Sequence, residues 1–183
     1  MRTRSDEHTF SEKIFPQSSE PTVCDGIARF WAQRVHFSGL RQQYVMHGVT
    51  GPNEYDNNMN NNWYTNYLAK WCIDYAIENI SKIEDEYASD FTRIMSKVKL
   101  TTLELAEWKA VADNMYLPFS DKHNIYLQQD GFLDKELISV KDLPKSQRPI
   151  NQKWSWDRIL RSPYIKQADI LQGFYFFEDN FTS

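Results

Sequence analysis

The residue best placed for acid–base chemistry is Glu54, which directly follows the turn Gly51–Asn53. In that turn glycine tolerates positive φ, proline fixes φ and asparagine hydrogen-bonds its own backbone, so a tight loop is predicted. A carboxyl group held by a rigid loop is suited to proton transfer, which depends on fixed geometry. The alternative is that Glu54 only hydrogen-bonds the N-terminus of the next helix, and spacing alone does not decide between the two roles.

The predicted surroundings of Glu54 favour its neutral form. Pro52, Tyr55 and Trp63 are expected to desolvate the carboxyl group, and desolvation disfavours the charged form. A general acid must be protonated before it acts, so this environment suits that role. The five asparagines within residues 57–62 can cap the following helix and hydrogen-bond hydroxyl-rich ligands.

A second pair of candidate residues is Lys166 and Gln167, which the pattern places at the start of the last helix. Lysine supplies a positive charge, and glutamine supplies both a donor and an acceptor. Together they can hold adjacent sugar hydroxyls. The alternative is an ordinary solvated helix face.

Other titratable residues give weaker signals. Asp130, Asp134 and Glu136 surround a turn and are candidates for a second acid or base beside Glu54, although charged turns are common. His47 is either a proton carrier or a loop hydrogen-bonding group. The histidines and cysteines form no ligand pattern, so no metal site is predicted.

Composition excludes some classes of partner. The 183 residues are enough for one ordinary domain, and 21 basic against 25 acidic residues give a net charge of -4. This near balance gives no electrostatic case for binding nucleic acid or an anionic membrane. Aromatic residues make up 15% of the chain, which fits a large core or a sugar- or peptide-binding groove.

The cellular location is predicted from what the sequence lacks. Cys24 and Cys72 are too few for a disulfide framework and are expected to be reduced thiols in a cytoplasmic protein. The first residues lack the apolar region of a signal peptide, and no stretch is long and apolar enough to span a membrane.

The fold class is predicted from apolar periodicity. Residues 1–22 are polar and read as a divergent or flexible N-terminal arm, whereas residues 23–183 read as a helical domain with two long loops. Apolar stripes are expected to face the core, one formed by Ile27, Phe30, Trp31 and Val35 and another by Trp63, Tyr67, Trp71 and Tyr75. The predicted helices cover residues 23–35, 60–80, 82–100 and 101–115, with a last one from about 156 or 162 to 175. The chain is therefore predicted to be all-α, with too few helices to close a toroid of paired helices.

Several long motifs resemble a known family. They are Phe30–Val35, Gly48–Tyr55, Asn60–Asn66, Leu127–Glu136, Asn151–Arg158 and Arg161–Asp169. Together they resemble the catalytic segment of the maltose phosphorylases, in family 65 of the glycoside hydrolases. The likeness covers roughly residues 23–180.

The resemblance implies a fold, a reaction and roles for three residues. The fold is an (α/α)6 barrel, of which residues 23–183 would be an incomplete part. Glu54 would be the general acid, and Lys166 and Gln167 would hold the glucose on the non-reducing side of the cleaved bond. The reaction would convert maltose and phosphate into glucose and β-glucose 1-phosphate with inversion. No cofactor is implied, because inorganic phosphate is the co-substrate, and the complete enzyme would be a homodimer.

The resemblance also implies parts that this chain is expected to lack. These are an N-terminal β-sandwich domain, the first barrel helices and a later segment whose His and Ser residues bind phosphate. The 183-residue chain is therefore expected to be a fragment with little or no activity of its own. Alternatives are a phosphorylase or hydrolase of another α-glucobiose, such as trehalose or kojibiose, and a sugar-binding module without catalysis.

Overall fold

The computed structural model describes residues 20–181 and divides them into two compact units. The first unit contains residues 20–34 and 69–113, and the second contains residues 35–68 and 114–181. The helices are α1 (Glu20–Arg34), α2 (Trp63–Glu86), α3 (Ala88–Val98), α4 (Thr102–Asp113), α5 (Ile150–Lys153), α6 (Trp156–Arg161) and α7 (Asp169–Phe176). The strands are β1 (His36–Ser38), β2 (Gln43–Val45), β3 (Phe119–Ser120) and β4 (Ile125–Tyr126). The described chain is therefore mostly helical, as predicted.

The first unit packs α1 against α3 and α4. Helix α4 begins after Thr101, whose hydroxyl accepts the Glu104 N–H at 3.1 Å, as expected of an N-cap. Glu104 does not complete a capping box. Its carboxylate instead accepts from Arg29 on α1, with Nε 2.6 Å from Oε1, and Arg29 also pairs with the buried Asp25. This ion pair fixes α1 on α4.

The apolar face predicted for α1 is only partly correct. Ala28 is fully buried, whereas Ile27 and Phe30 are 43% and 57% exposed. The helix therefore turns its small and charged side, Asp25, Ala28 and Arg29, toward its neighbours within this unit. The ion pair between Arg29 and Glu104 sets the orientation of α1, and hydrophobic periodicity in the sequence does not predict this ion pair.

The second unit contains two short antiparallel hairpins. Strands β1 and β2 pair with His36 opposite Val45, and β3 and β4 pair with Phe119 opposite Tyr126. Tyr44 in β2 also donates its N–H to the Asn114 carbonyl at 2.8 Å, which ties the first hairpin to the chain that follows α4.

The aromatic core of the second unit surrounds Trp63, the first residue of α2. Its fully buried ring stacks on Tyr67 with centroids 4.9 Å apart, and its edge contacts Phe174 at 5.4 Å. Gly173 makes this packing possible, because a Cβ there would lie 2.4 Å from Trp63 Cζ3. The predicted aromatic seam is thus confirmed at the start of α2, while Trp71 further along is 38% exposed.

The C-terminal helical region differs from its prediction. In place of one helix there are two, α6 and α7, separated by residues 162–168. Ser155 caps α6 by accepting the Arg158 N–H. Ser162 has extended backbone because it precedes Pro163, and proline disfavours helical geometry in the residue before it. The residues after Pro163 are irregular until α7 begins. This break places Lys166 and Gln167 in a loop.

Candidate active site

The loop that carries Glu54 is fixed at its base by main-chain hydrogen bonds. Val49 and Met59 exchange N–H to carbonyl bonds of 2.9 and 2.7 Å, which closes residues 50–58 into a loop. Asn61 then binds the preceding strand, accepting the Met46 N–H on its side chain at 2.9 Å and donating its own N–H to the Met46 carbonyl at 2.7 Å. The acid is therefore presented by an anchored loop.

Asn62 links this loop to α2. Its side-chain oxygen accepts the Thr65 N–H at 3.0 Å, which is the helix-capping role predicted for the asparagine cluster. Its amide nitrogen donates to Asp169 at 2.9 Å. One buried side chain thus starts α2 and binds the first residue of α7.

Glu54 lies against Lys166 and Gln167, which are 112 and 113 positions later in the chain. Lys166 Nζ is 2.5 Å from Oε2, and Gln167 Nε2 donates to Oε1 at 3.1 Å. Gln167 also accepts the Glu54 backbone N–H on its side-chain oxygen at 3.0 Å. The three side chains singled out from the sequence therefore form one cluster.

The predicted desolvation of Glu54 is wrong. Its side chain is 62% exposed, and the hydrogen bonds from Lys166 and then Gln167, together with the Lys166 charge, lower its pKa below the ordinary value. In this arrangement Glu54 is a carboxylate paired with an ammonium group. Desolvation of Glu54 was expected from its sequence neighbours, but Tyr55 packs on a separate apolar cluster. The groups that set the pKa of Glu54, Lys166 and Gln167, lie far along the chain.

Behind Glu54, Tyr55 packs on a small apolar cluster of Leu143, Ile150, Trp154 and Ile159. Tyr164, close to Lys166 in the chain, packs on the same cluster. Both segments that supply the site therefore rest on common support, which limits how far Glu54 and Lys166 can move apart.

Asn53 connects the same two segments directly. Its fully buried side-chain oxygen accepts the backbone N–H of Lys166 at 2.8 Å and that of Gln167 at 3.4 Å. Its amide nitrogen donates to Asp56 at 2.7 Å. Asp56 in turn forms an ion pair of 2.6 Å with Lys135, and this pair is largely buried. The network extends from Lys135 to the backbone of the two candidate sugar-binding residues.

Comparison with known proteins identifies the family. The model of the glycosyl hydrolase family 65 central catalytic domain matches residues 18–183. The chain belongs to glycosyl hydrolase family 65. This confirms the resemblance on which the fold and site expectations depend.

Curated family 65 relatives are named phosphorylases. The chain is 48% identical over 160 residues to a maltose phosphorylase of Bacillus subtilis, covering 87% of this chain and 20% of that one. It is 37% identical over 156 residues to an α,α-trehalose phosphorylase of Thermoanaerobacter brockii, and 36% identical over 155 residues to a kojibiose phosphorylase of Halothermothrix orenii. Each of these matches covers 85% of this chain and 20% of the relative. The chain thus spans about a fifth of the length of these relatives.

A solved structure supports the fold. A human-microbiome protein provisionally named a kojibiose phosphorylase matches 94% of this chain and 22% of its own, with a TM-score of 0.80 and 28% identity. The helical model and this similarity are consistent with part of the (α/α)6 barrel.

Within this family 65 segment, Lys166 and Gln167 are not at the start of a helix as predicted. Helix α7 begins at Asp169, so both residues occupy the loop before it. Because that loop is anchored by Asn53, it holds them against Glu54 without helical geometry.

Two of the three carboxylates predicted around the turn, Asp130 and Glu136, are engaged elsewhere. Asp130 accepts from Asn61 at 2.6 Å and pairs with Arg41, and Glu136 pairs with Arg161 at 3.1 Å. Among the hydrogen bonds and ion pairs of residues 20–181, none joins Asp130 or Glu136 to Glu54. His47 packs edge-on against His36 with ring centroids 4.9 Å apart.

Sequence reasoning missed four residues that shape the site: Asn53, Asp56, Lys135 and Asp169. Asn53 is visible in the sequence only as a turn residue. The sequence carries no local signal for the pairing of Asp56 with Lys135, 79 positions later. Asp169 lay inside the quoted family motif, but nothing in its spacing indicated burial.

Two structural features are absent from the part of the chain that the structure describes. In residues 20–181 no group of three or more His, Cys, Asp or Glu side chains is arranged to hold a metal ion. None of the helices in the same part of the chain combines the length and hydropathy needed to cross a bilayer.

Proposed function

We propose that this chain supplies the general acid and the glucose-binding side chains of an inverting phosphorylase that acts on maltose. The observation that carries this proposal is the cluster of Glu54 with Lys166 and Gln167. The names of the relatives support phosphorolysis, and the 48% identity to a maltose phosphorylase favours maltose over other disaccharides.

One acid is sufficient for this reaction. An inverting hydrolase needs a second carboxylate to activate water, whereas phosphate is already an anionic nucleophile. Glu54 would protonate the glycosidic oxygen as the bond to C1 breaks, and a phosphate oxygen would form the new bond to C1 from the opposite face. The proton released by the bound phosphate then restores the acid, and the products are glucose and β-glucose 1-phosphate.

Sugar binding would also prepare Glu54 for proton donation. Lys166 and Gln167 lower its pKa by donating to its carboxylate. Sugar hydroxyls compete for the same donors, so binding of glucose by Lys166 and Gln167 weakens their hold on Glu54. The pKa of Glu54 then rises, and its protonated form becomes accessible when a substrate is present.

Further parts of the proposal come from the sequence and the family resemblance. In a complete enzyme, phosphate would be bound by residues in another part of the protein. That enzyme would be a homodimer in the cytoplasm. The relatives named for trehalose and kojibiose support a second candidate, a phosphorylase of another α-glucobiose. A sugar-binding module without catalysis is the third.

A chimera tests the proposal. Residues 24–181 would replace the matching segment of the Bacillus subtilis maltose phosphorylase, and formation of β-glucose 1-phosphate would be measured with maltose, trehalose and kojibiose. We expect phosphate-dependent turnover of maltose, and a loss of about 100-fold or more in Glu54→Gln, in line with removal of a general acid. Glu107→Gln, an exposed change on α4, is the control and should keep full activity.

Each candidate predicts a different result. Preference for trehalose or kojibiose favours the second candidate. Activity that survives Glu54→Gln removes Glu54 from the mechanism. A folded chimera that binds glucose but turns over none of the three sugars favours the binding module.

A further inference from the structure

Asp169 is the first residue of α7 and lies two positions after Gln167. It is fully buried, and its Oδ2 accepts the Asn62 amide at 2.9 Å. The backbone of Asn53 also lowers the pKa of this carboxylate. Its Oδ1 has no hydrogen-bond partner among the residues that the structure describes.

The turn before Glu54 lies directly on this carboxylate. A Cβ built on Gly51 would be 2.5 Å from Asp169 Oδ2 and 2.6 Å from Asn62 Nδ2. Only glycine permits that approach, because real Cβ atoms do not come within 3.0 Å of such neighbours. The contact brings the backbone of the acid-bearing turn against the start of α7.

Asn53 and Asp169 form a reciprocal clamp between two chain segments. The Asn53 side chain accepts backbone N–H groups of Lys166 and Gln167, and the Asp169 carboxylate accepts the Asn62 amide beside the backbone of Gly51. Each segment thus holds the other through a side chain. Such an arrangement fixes the relative position of both backbones, on which the contacts of Glu54 depend.

We propose that Asp169 is a positioning residue, whose carboxylate holds the Glu54 turn against the loop of Lys166 and Gln167 so that the three side chains meet. The structural part of this inference concerns the chain itself, and only its consequence for catalysis rests on the proposed function. Positioning requires the acceptor oxygen, so an amide at this position should largely preserve it.

The test measures the pKa of Glu54 in the full 183-residue chain by NMR titration of its side-chain carboxyl carbon. In the wild-type chain this pKa is expected below the ordinary value, because Lys166 and Gln167 donate to the group. In Asp169→Ala the clamp is lost and the pKa should rise toward the ordinary value. In Asp169→Asn, which keeps a carbonyl acceptor, it should stay low.

The direction of the change separates positioning from simple electrostatics. Asp169, with a pKa of about 6, is already neutral at the pH at which Glu54 titrates, so its removal takes away no charge there, whereas loss of Lys166 and Gln167 raises the Glu54 pKa. Asp25→Ala is the matched control, because Asp25 on α1 is a second buried aspartate with one oxygen that has no partner in the described part of the chain. It should leave the Glu54 titration unchanged.

A Glu54 pKa that is unchanged or lower in folded Asp169→Ala would overturn the proposal. If Asp169→Ala does not fold, the Glu54 pKa is measured in Asn62→Ser instead and interpreted in the same way. Serine keeps the helix cap but cannot donate an amide to Asp169, so the Glu54 pKa should again rise, and an unchanged value overturns the proposal. None of these readings requires enzymatic activity, so failure of the proposed function leaves them interpretable.

Discussion

The burial of Asp169 predicts an unusual dependence of stability on pH. Burial raises its pKa from the ordinary 3.8 to about 6, while hydrogen bonds from Asn62 and Asn53 lower it and the charge of Asp56 raises it slightly. Tyr64 on α2 also experiences the Asp169 charge. Asp169→Asn removes this titration and retains the size of the side chain.

The magnitude follows from the difference in pKa between the folded and unfolded chain. At 1.36 kcal/mol per pKa unit, the rise from 3.8 to about 6 corresponds to about 3 kcal/mol. The folded chain holds the proton more tightly than the unfolded chain, so this contribution is fully present below pH about 4. It is lost as the pH rises through about 6. The wild-type chain should therefore lose about 3 kcal/mol relative to Asp169→Asn between pH 4 and pH 7.

The assay is urea unfolding of the wild-type and Asp169→Asn chains at several pH values from 4 to 7.5. Unfolding is monitored by tryptophan fluorescence, to which the buried Trp63 contributes. The difference between the two unfolding free energies is plotted against pH, which cancels titrations that the chains share. NMR titration of the Asp169 carboxyl group gives an independent midpoint, expected near 6. A difference that does not change with pH, or a midpoint near 4, would refute the reasoning.

Two further predictions concern packing and charge. Gly173→Ala should lower the unfolding free energy by about 1–3 kcal/mol, because the added methyl group overlaps the buried Trp63 ring. At Gly26 on α1 an added Cβ would meet no described atom within 4 Å beyond its chain neighbours and its own helix backbone. Gly26→Ala should therefore raise the unfolding free energy by about 0.5–1 kcal/mol, and equal effects in urea unfolding would contradict the packing argument. Lys166→Met should raise the pKa of Glu54, because the strongest group that lowers it is removed; an unshifted carboxyl titration by NMR would show that the ion pair does not form.

Local chemistry made part of the site predictable. The turn at Gly51, the acid at Glu54 and the helix cap by Asn62 each depend on residues within a few positions of one another. The aromatic seam at Trp63 was also predictable, because i to i+4 spacing along α2 places rings on one face. These features need no knowledge of the rest of the chain.

Features that depend on distant residues were not predictable in this way. The ionisation state of Glu54 was misjudged because Lys166 lies 112 positions away. The family resemblance named both residues, but it did not indicate that they contact each other. The burial of Asp169 and its clamp with Asn53 likewise arise only when separate segments meet.

The contact between Asn66 and Tyr116 has a consequence for how the chain reaches its native state. The Asn66 amide donates to the Tyr116 carbonyl at 2.8 Å, so the chain is joined just before and just after residues 69–113. Once this bond forms, the effective loop between Glu54 and Lys166 is roughly halved, which reduces its closure entropy by about 0.6 kcal/mol. Early formation of this junction should therefore speed assembly of the site by about threefold. The helices between the two ends can also change in length during evolution without lengthening the path that brings the acid to its partners.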